Sequence, residues 1–333
     1  MLRTRSILRA GTVAVVSLLL GLVPAALAAN GGAPSLEDGM TLERLFALRW
    51  VTDVTVSPDG RHAAYTLRVP RDLDQEQDGP AWSELWVVPT VGGEPVAYVH
   101  GQVNVSSPAF TPDGRHVTYR AKRNGEENTS LWAVPLDGGE SRKLLGYETG
   151  VGSYHVSPDG ERVVFVAREP VPEERRKLRE EGFDQEIFEE DWMPRHALVA
   201  EIDLTPSQPA DPTEEQGDAT EPRALDLPGS AFTARWAPDG RHVIATLAPR
   251  PLIDDRYMNR RVIVHDVEAG ETAAEFPNIG KLGPVRMSPD GERIAMISAA
   301  DRNDPHAGQL MVGSASGGER EDLFPDWEGH IAA

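Results

Sequence analysis

Cysteine is absent from the 333 residues, so the chain has no disulfide, no thiolate metal site and no lipid-modified cysteine. Its fold must hold by packing and backbone pairing. Basic residues are outnumbered, with 33 Lys and Arg against 53 Asp and Glu, a formal net charge of −20. Such a surface repels nucleic acid and anionic lipid, which argues against both as partners. Beyond the first 30 residues no apolar run is long enough to cross a bilayer.

Catalytic signatures are missing too. No serine stands in a Gly-x-Ser-x-Gly elbow: Gly313-Ser314-Ala315-Ser316-Gly317 places Ala315 at the nucleophile position and reads as a turn. The nine histidines form no His-x-x-x-His or His-Glu-x-x-His zinc face. His62, His116 and His242 each follow an arginine after a turn and read as edge or surface residues. No phosphate loop or dinucleotide fingerprint exists, because the glycines sit in hairpin turns. The expectation is no catalytic residue, no metal and no cofactor.

The one long apolar run lies over 10–23, after Arg3, Arg5 and Arg9, and small residues at 26–28 then offer a cleavage site. This is the layout of a secretory signal peptide, predicting an exported, periplasmic or secreted protein. A retained anchor shares the same physics; cleavage would leave no stable membrane insertion. Loss of the three arginines takes the net charge from −20 to −23.

What is present is a repeat. Ser57-Pro58-Asp59-Gly60 returns as Thr111-Pro112-Asp113-Gly114, Ser157-Pro158-Asp159-Gly160, Ala237-Pro238-Asp239-Gly240 and Ser288-Pro289-Asp290-Gly291. Proline presets φ in a tight turn, Asp bonds its own backbone, and Gly takes the left-handed position that closes a hairpin. A second hairpin follows: Leu85-Trp86-Val87-Val88-Pro89 runs into Gly92-Gly93-Glu94, and Leu131-Trp132-Ala133-Val134-Pro135 into Gly138-Gly139-Glu140. One unit is therefore a four-stranded antiparallel blade. The turn prolines lie 54, 46, 80 and 51 residues apart, near the ~40–50 of propeller repeats. The pattern predicts an all-β propeller of about five blades, over 51–100, 101–150, 151–228, 229–283 and 284–328, as an incomplete ring. Trp86, Trp132 and Trp236 are read as blade-core residues in equivalent register.

Between repeats, residues 29–50 form a leader whose 40–50 stretch has helical spacing, with Thr41 as cap. The loop over 71–79 carries Asp72, Asp74, Glu76 and Asp78, but Leu85 sits where a calcium loop needs its bidentate Glu. It reads as a solvated acidic loop. The 80-residue interval holds an insertion over 168–196 in the third blade. Pro172, the Glu173/Lys177 pair and Gly182 describe a short exposed helix there. The aromatic stretch after it holds Glu189, Glu190 and Asp191 beside Phe188 and Trp192. These carboxylates can receive a substrate's positive amino terminus, or face water, or pair with Arg195 and the helix arginines. A second insertion over 205–220 reads as a mobile loop.

The chain resembles the N-terminal propeller of the prolyl oligopeptidase family of exported serine peptidases, nearest the acylaminoacyl-peptidase and dipeptidyl-peptidase branch. The carrying residues are Met40-Thr41-Leu42-Glu43-Arg44-Leu45, Val54-Thr55-Val56 with the first turn through Arg61, and Ser83-Glu84-Leu85-Trp86-Val87-Val88-Pro89. The stretch 183–191, Trp192 and Arg195-His196 complete the set. The Pro-Asp-Gly blades alone are shared with TolB-like propellers. The resemblance implies a peptide or protein partner, gating of entry by size, and a C-terminal α/β-hydrolase domain carrying a Ser, Asp and His triad. It carries the grip on the amino terminus to Glu189 and Glu190, with Asp191, Trp192 and Arg195 beside them. The family has seven or eight blades, so this chain is expected to be a fragment or a product without its catalytic half. The alternative is a stand-alone exported TolB-like binding module.

Overall fold

The computed structural model describes residues 39–331, apart from 73, 186, 191, 206–220, 304–307 and 328. The expected signal segment, most of the second insertion and the candidate Asp191 lie outside the described residues. The chain divides into two units, Met1–Phe46 and Ala47–Ala333. In the first, α1 (Leu42–Phe46) is one turn. The Thr41 hydroxyl caps it by accepting the Arg44 N–H at 3.3 Å. The helical spacing over 40–50 therefore overstated the helix: Trp50 pairs with Arg68 and is already strand.

The second unit holds five four-stranded antiparallel sheets, each with its strands in chain order. The first contains β1 (Trp50–Val56), β2 (His62–Val69), β3 (Trp82–Pro89) and β4 (Val96–Val99); the second β5 (Ser106–Phe110), β6 (His116–Ala121), β7 (Ser130–Pro135) and β8 (Arg142–Leu145). The third contains β9 (Tyr154–Val156), β10 (Arg162–Arg168), β11 (Arg195–Glu201) and β12 (Arg223–Ala224), with α2 (Glu173–Glu180) between β10 and β11. The fourth contains β13 (Ser230–Trp236), β14 (His242–Ala248), β15 (Arg261–Asp266) and β16 (Glu271–Phe276), with α3 (Ile253–Met258) between β14 and β15. The fifth contains β17 (Leu282–Met287), β18 (Arg293–Ala299), β19 (Gly308–Ser314) and β20 (Arg320–Asp322). First strands approach one another, β1 to β5 and β9 to β13, as the inner strands of propeller blades.

Each Pro-Asp-Gly segment is the turn from first to second strand. In the first, the Gly60 N–H bonds the Ser57 carbonyl at 2.9 Å with Gly60 at φ 72°. The Asp59 carboxylate accepts the Arg61 N–H at 3.0 Å and the Ser57 hydroxyl at 2.6 Å. Asp113, Asp159 and Asp290 repeat this with Thr111, Ser157 and Ser288. In the fourth turn Ala237 has no hydroxyl, and Asp239 instead pairs with His242 Nδ1 at 2.6 Å.

These bonds hold all five turn carboxyls below the ordinary Asp range. The Ser hydroxyl leads at Asp59 and Asp290. At Asp113, Asp159 and Asp239 burial is the largest effect and pushes upward, but the hydrogen bonds together outweigh it. A depressed folded pKa stabilises fully above the unfolded value of about 3.9 and loses that contribution as pH falls through the folded value. The thermal midpoint should therefore be level down to about pH 4.5 and fall steeply below it. Replacing Asp290 by Asn should lower the midpoint near neutrality and flatten the acid limb; an unchanged limb would reject the turn carboxyls as its source.

Four hydrophobic clusters join consecutive sheets. Leu85, Val117 and Trp132 belong to the one between the first and second, and Leu131, Val163 and Phe165 to the one between the second and third. Val164, Trp236 and Leu247 join the third to the fourth, and Val264, Phe276 and Met296 the fourth to the fifth. Among the described residues, no cluster joins the fifth sheet to the first. Burial follows from this. Strands β6 and β7 are buried on both faces, whereas β2 and β3 alternate buried with half-buried.

Two sequence expectations are corrected here. Trp236 lies on a first strand, opposite Val243, while Trp86 and Trp132 lie on third strands opposite Tyr65 and Tyr119. Trp132 and Trp236 are 5% and 4% exposed, but Trp86 is half-buried because its face belongs to a terminal sheet. His116 is not a surface residue: its sheet has neighbours on both sides, it is 8% exposed, and burial pulls its pKa down.

Candidate functional site

The second-to-third-strand loops lie at the opposite end of the blades from the Pro-Asp-Gly turns. In the third and fourth blades they are long enough to carry α2 and α3. Pro172 starts α2, Lys177 and Glu173 pair across one turn at 2.8 Å, and Gly182 at φ 94° follows the end. No residue of α2 is buried. The chain then makes a turn at Phe188, Glu189 and Glu190, where the Glu190 N–H bonds the Ile187 carbonyl at 3.2 Å. Glu189 is half-buried at φ 64°, a left-handed conformation costly for a residue with a side chain. Glu190 is exposed. Trp192 is half-buried and packs edge-on to Phe188, with centroids 6.4 Å apart.

The insertion closes where the Glu169 N–H bonds the Pro194 carbonyl at 2.8 Å and Arg168 pairs with Arg195 in the ladder. The Arg195 N–H also bonds the Ser230 hydroxyl at 3.1 Å. This fixes the start of β11 against β13 and carries the Arg195 guanidinium over the Phe232 aromatic ring at 5.4 Å. Phe232 is the extra residue of a β-bulge: Ala231 pairs with Leu247 and Thr233 with Thr246. Inner strands β1, β5 and β17 carry irregularities at the corresponding end. Only β13 puts an aromatic ring there.

Two more guanidiniums share that ring, Arg256 at 5.3 Å and Arg260 at 5.8 Å. Arg256 belongs to the short α3 and Arg260 follows its end; the helix is held by its own buried Asp255. Its carboxylate takes Arg250 Nε at 2.6 Å and Asn259 Nδ2 at 2.8 Å. The Asp255 hydrogen bond, then its charge, raises the Arg250 pKa, and Glu189 adds to it. Glu189 thus lies within electrostatic reach of the α3 loop. Arg260 donates to the Leu282 carbonyl, while Arg256 is exposed. Among the described residues, no carboxylate pairs with Arg195, Arg256 or Arg260. Burial, then Arg256 and Arg168, lowers the Arg195 pKa; burial, then Arg256, lowers that of Arg260.

The inner strands add further positive charge. Burial, then Arg286, holds Arg235 of β13 down to about 10. On β9, burial first and then Arg235 and Arg286 hold His155 down to about 3, so its imidazole is neutral and Nδ1 accepts the Trp236 N–H at 3.3 Å.

Of the residues expected at the site, Glu189 and Glu190 share one turn, Trp192 packs on Phe188 of that turn, and Arg195 stands apart from them on Phe232. Sequence reasoning missed Phe232, Arg256 and Arg260. The signal was four arginines within 250–261 of an acidic chain.

No protein-family model matches the chain. A stretch of 87 residues is 33% identical to an uncharacterised peptidase, YuxL, of Bacillus subtilis, covering 26% of this chain and 13% of that protein. In structure the chain is similar to the acylaminoacyl peptidase of Pyrococcus horikoshii, with TM-score 0.58 and 15% identity, over 85% of this chain and 40% of that one. It is similar to the propeller domain of the trilobed protease of Pyrococcus furiosus, which has an open velcro topology, at 0.51 and 14% over 84% and 73%. A structure reported as TolB from Agrobacterium tumefaciens matches at 0.50 and 14% over 83% and 81%. At these identities the structural likeness shows the fold, a β-propeller like those of acylaminoacyl peptidase, trilobed protease and TolB. The chain spans less than half of the acylaminoacyl peptidase, and the matched stretch a small part of the Bacillus peptidase.

Proposed function

We propose that this chain is the propeller portion of an exported serine peptidase of the prolyl oligopeptidase family, gating access to a hydrolase domain and selecting its peptide substrates. The observation that carries this is the 33% identity to a peptidase over 87 residues; the propeller likeness to acylaminoacyl peptidase agrees with it. The signal-like residues before 29 support export. In this reading the nucleophile, base and oxyanion donors belong to a C-terminal α/β-hydrolase domain outside the 333 residues. Glu189, Glu190 and Asp191 receive the peptide's amino terminus, with Trp192 as an apolar wall and Arg195 at the rim.

A second reading, a stand-alone TolB-like module binding a peptide or protein, is favoured by the likeness to TolB over 81% of that chain. Sequencing the genomic DNA past the codon for Ala333 separates the two. An in-frame Gly-x-Ser-x-Gly some two to three hundred residues on is expected; a stop codon directly after Ala333 would reject the peptidase reading. Under either reading the purified chain alone should not cleave a chromogenic dipeptide, and measurable turnover would overturn the placement of the chemistry elsewhere.

A further inference from the structure

We propose that Arg195, Arg256 and Arg260, gathered around Phe232, form a binding site for a peptide carboxylate at the insertion end of the propeller. The proposal concerns binding by this chain and does not depend on whether a hydrolase domain exists.

Three guanidiniums within 5.3 to 5.8 Å of one ring centroid repel one another. The weak attraction of a single cation to an aromatic face at an exposed site is too little to explain gathering three in a chain whose net charge is −20. The chain has carboxylates to spare, and it uses them nearby. Asp255 neutralises Arg250 at 2.6 Å, and Glu275 pairs with Arg261 at 3.0 Å. Among the described residues, the three on Phe232 are left without such a partner. Arg168, next to Arg195 across the ladder, adds a fourth positive charge.

The arrangement fits a carboxylate better than an isolated inorganic anion. Guanidinium forks match carboxylate and phosphate oxygens alike in bidentate geometry, so the preference comes from the ring. The Phe232 ring supplies an apolar wall for the residue that bears the carboxylate. The Arg260 guanidinium is anchored on the Leu282 carbonyl and the Arg195 backbone is fixed by its N–H on the Ser230 hydroxyl, which limits the ordering needed on binding. Arg256 is exposed and free to close over the ligand.

The test is calorimetric titration of the full chain with three probes: N-acetyl-Ala-Phe as free acid, the same dipeptide as its amide, and N-acetyl-Glu-Phe-amide. The acid should bind about tenfold or more tightly than the neutral amide. Binding of the acid alone assigns a C-terminal carboxylate, and binding of both anionic probes assigns any peptide carboxylate. Arg256→Gln, which removes an exposed side chain without a hydrogen-bond partner, should abolish the discrimination while the thermal midpoint stays unchanged. Equal affinity for acid and amide, no binding of either anion at millimolar concentration, or discrimination intact in Arg256→Gln would each overturn the proposal. A stop codon directly after Ala333 would reject the peptidase reading and leave this site standing.

Discussion

Trp132→Ala should destabilise the chain by ~3–5 kcal/mol, whereas Trp86→Ala should cost no more than about 1.5 kcal/mol. The two residues occupy one position of the repeat. Both sit in Leu-Trp-x-Val-Pro, and both lie opposite a tyrosine, Tyr119 and Tyr65, on the second strand. Their surroundings differ. Trp132 is 5% exposed within the cluster joining the first two sheets, and its indole N–H bonds the Ala121 carbonyl at 3.2 Å. Truncation there leaves a cavity and removes that hydrogen bond. Trp86 stands on the half-buried face of the first sheet and bonds the Glu84 carboxylate at 3.0 Å. A difference of ~3 kcal/mol corresponds to a separation of melting midpoints of roughly 5–10 °C. Equal losses would mean that the first sheet's outer face is covered in solution.

Gly229→Ala should cost a similar ~3–5 kcal/mol, the sum of strain and overpacking. Gly229 precedes β13 at φ 106°, and a Cβ there would meet the Ala248 carbonyl oxygen at 2.2 Å. Neither partner can retreat, since Ala248 is paired with Ser230 in the β13–β14 ladder and Gly229 directly precedes Ser230. The approach recurs before β17, where a Cβ on Gly280 would lie 2.3 Å from the Asp301 carbonyl oxygen. Gly270→Ala is the control: φ is 70° but the space is open, so only the conformational cost of about 1 kcal/mol should appear. Urea denaturation of the two variants would check this. Equal midpoints for G229A and G270A would show that the backbone at β13 gives way.

The blades were legible because their turns are local chemistry. Proline, an Asp that bonds two residues on, and a left-handed glycine specify a hairpin without help from distant residues. The fourth turn shows how tolerant that code is: Ala237 replaces the hydroxyl, His242 takes over the Asp, and the hairpin still forms. Burial was less legible, since it depends on which neighbours a sheet has. Trp86 and Trp132 look alike in sequence, and His116 looks like His62 and His242. The arginine cluster was invisible for a related reason. Arg195, Phe232 and Arg256 come from three segments that meet only after two blades pack, and the bulge that aims Phe232 has no sequence mark. The acidic turn at 188–190 was noticed because its residues are contiguous.

Each of the four apolar clusters binds one sheet to the next, so cohesion runs along the row as through links of a chain. Energetically such a row behaves as a one-dimensional stack, in which a middle member is held from two sides and an outermost one from a single side. Within these five sheets taken alone, fraying therefore begins at the first or the fifth and moves inward. The arginine site, built between the third and fourth members, sits where that fraying arrives late.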